Sequence, residues 1–133
     1  MKLYMLDTNT VSYAIKGHQQ VTQHLLGIPM HSICISAITA GELAFGLAKR
    51  PEAVVLKATV EAFLVGVEVL AWSHDVAQTY GSFRTKLQNK GTPLSPLDMQ
   101  IAAHAFHINA ILVSSDKAFS LMDLVVTEDW TKA

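Results

Sequence analysis

The sequence predicts an α/β fold, a parallel sheet with helices on both faces. Three observations predict it. Short apolar runs recur along the chain, at Leu3–Leu6, Ile33–Ser36, Val67–Leu70, Ala110–Val113 and Leu124–Thr127, with helix-forming stretches between them. Most of these runs are continuously apolar rather than alternating, which suits strands covered on both sides. The runs ending at Leu6 and Val113 are each followed within three residues by an aspartate, Asp7 and Asp116. The carboxyl ends of the strands are where such sheets bind ligands.

Asp7 ends the first run, and Thr8 or Asn9 is placed to cap the helix that follows. Residues 8–16 and 18–26 read as two short helices, broken by Gly17 and then by Gly27-Ile28-Pro29. Ile33-Cys34-Ile35-Ser36 is the second strand. Ala37 to Lys49 is rich in helix formers and closes on Lys49-Arg50-Pro51, a basic last turn followed by a stop. A further helix is expected from Glu52 to Val65, ended by Gly66, before the third strand at Val67–Leu70. Ser73 then caps a helix reaching Asn89, and Gly91-Thr92-Pro93 breaks it. Ser95-Pro96 opens the next, with serine as N-cap and proline at the first helical position. It runs to Ile108. Ala110–Val113 is the fourth strand, Lys117–Leu121 a short helix and Leu124–Thr127 a fifth strand.

At 133 residues the chain is expected to be a single domain, 1–133, able to bury a sizeable core. Half of its residues are hydrophobic and only 16% are charged, which excludes a disordered chain. The N-terminus reaches Asp7 too soon for a signal peptide. The longest apolar region, Ala53–Leu70, is interrupted by Lys57, Glu61 and Glu68, so no membrane span is expected. Cys34 is the only cysteine and has no internal partner, so the expected setting is the reducing cytoplasm. A net charge of −1 gives no global basic footprint for nucleic acid. Acids clustered around a metal would leave the rest of the surface more basic than that total implies.

Four acids stand in unusual settings. Asp7 and Asp116 follow apolar strands, where the plainer role for each is to cap the next helix. Glu42 is the only ionisable group between Ala37 and Leu47, and at helical spacing it shares a face with Ile38 and Phe45. A carboxylate on an apolar face needs a partner. Asp98 lies three residues after the Ser95 cap, a slot where an acid complements the helix dipole. It also lies one turn before Ile101 and Ala102, on the face that packs on the sheet. Four separate capping or surface roles are less economical than one shared explanation, a divalent cation. Carboxylates gathered in one pocket repel each other and hold protons unless such an ion neutralises them. Mg²⁺ and Mn²⁺ prefer oxygen ligands and keep waters in the remaining positions. The expected chemistry is metal-assisted phosphodiester hydrolysis.

Taken together, Leu6-Asp7-Thr8-Asn9, Glu42 in a helix, Pro96-x-Asp98-x-x-Ile101-Ala102-Ala103-x-Ala105 and Val113-Ser114-x-Asp116-x-x-Phe119 resemble the PIN-domain nucleases, specifically the VapC toxins of bacterial toxin-antitoxin pairs. The resemblance spans the whole chain, and the ending Thr127-Glu128-Asp129-Trp130 resembles one subgroup of these toxins. It implies that Asp7, Glu42, Asp98 and Asp116 form an active-site cluster holding one or two Mg²⁺ or Mn²⁺ ions, and that Ser114, Thr8 and Asn9 shape the pocket. It also implies a sheet ordered 3-2-1-4-5, ribonuclease activity on structured RNA such as a tRNA anticodon loop, with initiator tRNA first, a VapB-type antitoxin partner and a homodimer. The antitoxin would lay a segment over the groove. The Ser114-Ser115-Asp116 stretch departs from the family pattern, which leaves Asp116 the least fixed of the four.

Arg84, Lys86 and Lys90 on one helix, with Lys117 beside Asp116, are candidate RNA contacts, although charges along a helix more often form a solvated face. His74, His104 and His107 lack the spacing of a metal pair, and Cys34 reads as strand filler. An Asp-x-Asp phosphatase would need an acid where Asn9 stands. The alternative from another class is an inactive PIN-fold interaction module, which would be expected to have lost its acids.

Overall fold

The computed structural model describes residues 2–91, 94–120 and 122–133. Thr92, Pro93 and Leu121, parts of the expected helix break and helix end, lie outside the described residues. Strand β1 (Tyr4–Leu6) leads into α1 (Thr8–Ile15) and α2 (Gln19–Leu26). After a single 3₁₀ turn at Met30–Ser32 come β2 (Ile33–Ser36), α3 (Ala37–Ala48), α4 (Val54–Gly66) and β3 (Glu68–Leu70). The remainder is α5 (His74–Asn89), α6 (Pro96–His107), β4 (Ile111–Val113), α7 (Lys117–Ser120) and β5 (Thr127–Glu128).

Local chemistry sets the boundaries. Ser36, Ser73 and Ser95 each accept a hydrogen bond at Oγ from a first-turn amide, those of Ile38, Val76 and Asp98. Side-chain caps of this kind satisfy donors that the helix itself leaves unpaired. Gly17 follows α1 with φ +78°, a left-handed conformation that turns the chain toward α2 at little steric cost.

Among the described residues the strands form one sheet in the order β3-β2-β1-β4-β5, with every neighbouring pair parallel. Successive strand residues enter opposite cores, as a strand buried on both faces requires. Met5, Cys34 and Leu112 join one core with Phe83 and Leu87 of α5 and Ile101 of α6. Leu6, Ile35 and Val113 join the other with Val11 of α1, Val21 of α2, Leu43 of α3 and Val60 of α4. No helix among the described residues is long and apolar enough to cross a membrane.

Three expectations need correction. The cap of α1 is Asp7, not Thr8 or Asn9, which lie inside the helix. The fifth strand lies at Thr127–Glu128 rather than at Leu124–Thr127, because pairing with β4 begins only at the Val126 carbonyl, which accepts from Leu112 N–H at 2.9 Å. Val125 is spent on the core instead, and Val126 is exposed. Phe45 does not share a buried face with Glu42. The buried stripe of α3 runs through Thr39 and Leu43, and Phe45 is 64% exposed.

Candidate active site at the carboxyl edge of the sheet

The order of strands reverses between β1 and β4, so the crevice beyond their carboxyl ends is the place where a sheet of this kind holds a ligand. Asp7 stands there. Its amide donates to Val113 O at 3.0 Å, and Thr10 Oγ1 donates to the same carbonyl at 3.1 Å, so the start of α1 is tied to the end of β4. Asp7 is also the N-cap of α1, with Oδ1 accepting from Thr10 N–H at 2.8 Å. The cap and the site are therefore the same residue.

Asp7 is 4% exposed, and burial raises its pKa above the ordinary 3.8. Hydrogen bonds from Ser114 and Thr10 oppose that rise, while the negative charge of Asp98 adds to it. Asp98, half-buried in the first turn of α6, therefore faces Asp7 closely enough for like-charge repulsion to register. Ser114 is buried at the end of β4 and links Asp7 to the Asp116 loop, because its Oγ also accepts from Asp116 N–H at 3.1 Å.

Glu42 reaches the site from α3. It is half-buried, and Oε1 accepts from Thr8 Oγ1 at 2.7 Å, one residue after Asp7. Thr39 Oγ1 lies 3.4 Å from the same hydroxyl. Asp116 is exposed and caps α7, accepting from Ala118 N–H at 2.9 Å. Asn9 is exposed on α1. Asp7 thus interacts with Asp98 and Ser114, Ser114 reaches on to the Asp116 loop, and Glu42 is joined to Thr8, the residue after Asp7.

Two clefts open beside these acids. One, of about 260 Å³, is bordered by Thr8 and Glu42, floored by Leu43, Leu47, Leu56 and Val60, and rimmed by Lys16, Lys49 and Arg50. The other, about 130 Å³, is lined by Ser114, Ser115, Asp116 and Thr127, with Lys117, Asp129 and Lys132. Asp129 accepts there from Thr131 N–H at 2.9 Å and from Thr131 Oγ1 at 2.5 Å. Of the cations expected to contact RNA, only Lys117 lines either cleft among the described residues. Arg84 donates to Tyr80 Oη at 2.7 Å, and Lys90 pairs with Asp123 at 2.6 Å. Lys86 is exposed on α5. Lys16, Lys49 and Arg50 escaped the sequence reading because Lys49-Arg50 looks like a helix ending, and nothing in the order of residues places it beside Lys16.

Among the described residues no group of three or more His, Cys, Asp or Glu side chains is arranged to hold a metal ion. The donors nevertheless suit a hard cation. Asp7 and Asp98 offer only oxygen, and the cost of ionising the buried Asp7 beside a second carboxylate is what a positive ion removes. Mg²⁺ needs no more than one or two carboxylates, its other positions being filled by water or phosphate. Cys34 has no such role, since burial and Glu68 push its thiol up to about 11 and keep it protonated at neutral pH.

The PIN domain family matches residues 4–124. A tRNA(fMet)-specific endonuclease VapC from Salmonella typhimurium is 34% identical over 131 residues, covering 98% of this chain and 99% of that protein. Ribonuclease VapC2 from Rickettsia felis is 33% identical over 133 residues, with the same coverage. Among solved structures, VapBC2 from Rickettsia felis bound to a DNA fragment from its promoter superposes with a TM-score of 0.88 at 32% identity, covering 96% of this chain and 98% of that one. DNA-bound VapBC from Salmonella typhimurium gives 0.88 at 33% identity, covering 98% and 99%. By descent as well as by fold, this chain belongs to the PIN-domain family, among the VapC ribonucleases.

Proposed function

We propose that this chain is a Mg²⁺- or Mn²⁺-dependent endoribonuclease, the toxin of a toxin-antitoxin pair, acting in the cytoplasm on a structured RNA. The observation that carries the reading is the buried Asp7 at the switch point of the sheet, kept there against both desolvation and the charge of Asp98. Hydrogen bonds from Ser114 and Thr10 are what oppose the burial of Asp7 among the described residues, and a cation from outside the chain would oppose it further.

In this reading Asp7 and Asp98 hold the ion. When bound, it offsets negative charge developing on the scissile phosphodiester and favours deprotonation of a water. Ser114 holds the Asp7 carboxylate in place, and Thr8 holds Glu42 through Oε1, which leaves the second Glu42 oxygen to receive a proton from the attacking water. Asp116 acts from the margin of the pocket. A tRNA anticodon loop is the proposed substrate, initiator tRNA first, supported by the name of the Salmonella relative.

A VapB-type antitoxin is the proposed partner, as in the solved VapBC complexes. The larger cleft suits one of its segments, since the floor is aliphatic and the rim carries Lys16, Lys49 and Arg50, a match for apolar and acidic side chains on a bound helix. We also propose a homodimer.

The purified chain is expected to cut initiator tRNA in Mg²⁺ or Mn²⁺ and to stop in EDTA. Asp98→Asn should slow cleavage by at least about 10²-fold. Equal rates for Asp98→Asn and the parent would overturn the reading.

A further inference from the structure

The two helices that bring Glu42 and Asp98 to the site meet at one buried polar contact outside it. His104 of α6 and Ser36 at the start of α3 are 1% and 0% exposed, and His104 Nδ1 lies 2.7 Å from Ser36 Oγ. Asp98 stands six residues before His104, and Glu42 six residues after Ser36. Ser36 Oγ already accepts from Ile38 N–H at 3.1 Å as the cap of α3. The hydroxyl can still either donate to Nδ1 or accept from it, and which of the two holds follows the tautomer of the imidazole. The ring is fixed from the side by Trp72, edge to face at 5.5 Å between centroids and 86° between planes.

A buried pair with both members satisfied has one favoured arrangement, whereas an apolar contact at the same place would let α3 slide or turn. From this geometry we infer that His104 is a positioning residue: through its hydrogen bond with Ser36 Oγ it fixes α3 against α6 and so sets where Glu42 stands relative to Asp7 and Asp98. The inference rests on the ribonuclease reading for its kinetic consequence and on the Ser36 contact alone for its structural one. His104 touches no reacting atom, and its influence passes through Ser36 and the first turns of α3.

The test compares the parent with His104→Leu, which fills the space without a hydrogen-bonding group, His104→Asn, whose amide restores one near Nδ1, and Ser36→Ala. Two readouts are taken, steady-state cleavage of tRNA and amide hydrogen exchange along the chain. His104→Leu and Ser36→Ala should each lower kcat about tenfold with KM within about twofold, as expected for misplacement of a group near the chemistry. The double variant should lose no more than either single one, and His104→Asn should recover most of the loss. Exchange should quicken over residues 38–43 while the amides of β1 and β4 keep their protection. Parental kcat in folded His104→Leu or Ser36→Ala would overturn the proposal, as would losses that multiply in the double variant or exchange that quickens evenly through the core. If the parent cuts no RNA, the ribonuclease reading fails, and local exchange in α3 still decides whether His104 holds it.

Discussion

Asp7 accepts a first-turn amide and a hydrogen bond from Ser114, yet burial outweighs both and holds its pKa above 3.8. A carboxyl whose pKa is higher folded than unfolded favours the fold most when protonated. Its contribution is fully present below the unfolded value, near pH 4, and is lost as pH rises through the raised folded value. Ionising this group therefore destabilises the protein. Asp7→Asn, which keeps an acceptor for Thr10 N–H, is expected to raise Tm while abolishing cleavage. Melting curves at several pH values check this: the gain should be present at pH 7 and vanish below about pH 4. Added Mg²⁺ should raise the Tm of the parent more than that of Asp7→Asn, through preferential binding to the folded state. Asp7 was legible in the sequence because a carboxylate directly after an apolar strand has few settings. Its double duty as cap and site residue was not, since each role alone accounts for the residue.

At the scale of the element, α3 carries both Glu42 and one wall of the larger cleft. Glu42 is legible as the lone charge in an apolar helix, but the face that it shares is not. The buried stripe passes through Thr39 and Leu43. Phe45 lies two positions beyond Leu43, about 200° around the helix, and so faces solvent, whereas Glu42 lies about 100° away at the flank. Thr8 is what turns Glu42 inward, and no single-helix pattern reveals a partner 34 residues distant. Thr8→Val removes the hydroxyl at nearly constant volume. It should reduce kcat about tenfold while costing roughly 1 kcal/mol of stability, read by single-turnover cleavage and denaturant titration. Gly46 lines the cleft from the same helix, and a Cβ added there meets nothing within 4 Å. Gly46→Leu should thus raise helix stability by about 0.5–1 kcal/mol. It should also fill the cleft and weaken antitoxin binding, measured by calorimetry, with RNA cleavage retained. Tight antitoxin binding by Gly46→Leu would mean the partner sits elsewhere.

The molecule as a whole is a sheet with two cores, and the sequence announced most of it because strands buried on both faces are continuously apolar. The order 3-2-1-4-5 came from family resemblance, since apolar runs say which segments are strands but not which are neighbours. What closes the structure is the end of the chain. Trp130 is 1% exposed, packs beside Tyr4 of β1 with centroids 5.5 Å apart, and stacks on His24 of α2 at 5.4 Å with planes 5° from parallel. Its Nε1–H donates to Glu128 Oε1 at 3.0 Å, while His24 Nε2 lies 3.0 Å from Lys132 O, so the last residues are bound to α2 as well as to β5. Tyr4 and Trp130 stand at opposite ends of the sequence, and nothing local to either foretells the contact. Trp130→Ala removes a large buried ring from the core that contains Leu6 and Val113, the residues flanking the site. It should cost about 3–5 kcal/mol and lower Tm by roughly 10 °C or more. His24→Ala, which removes only the outer partner of the stack, should cost about 1 kcal/mol. Thermal denaturation followed by circular dichroism distinguishes the two. A Trp130→Ala protein melting within a few degrees of the parent would mean that the C-terminal segment lies on the fold without helping to hold the sheet and its site together.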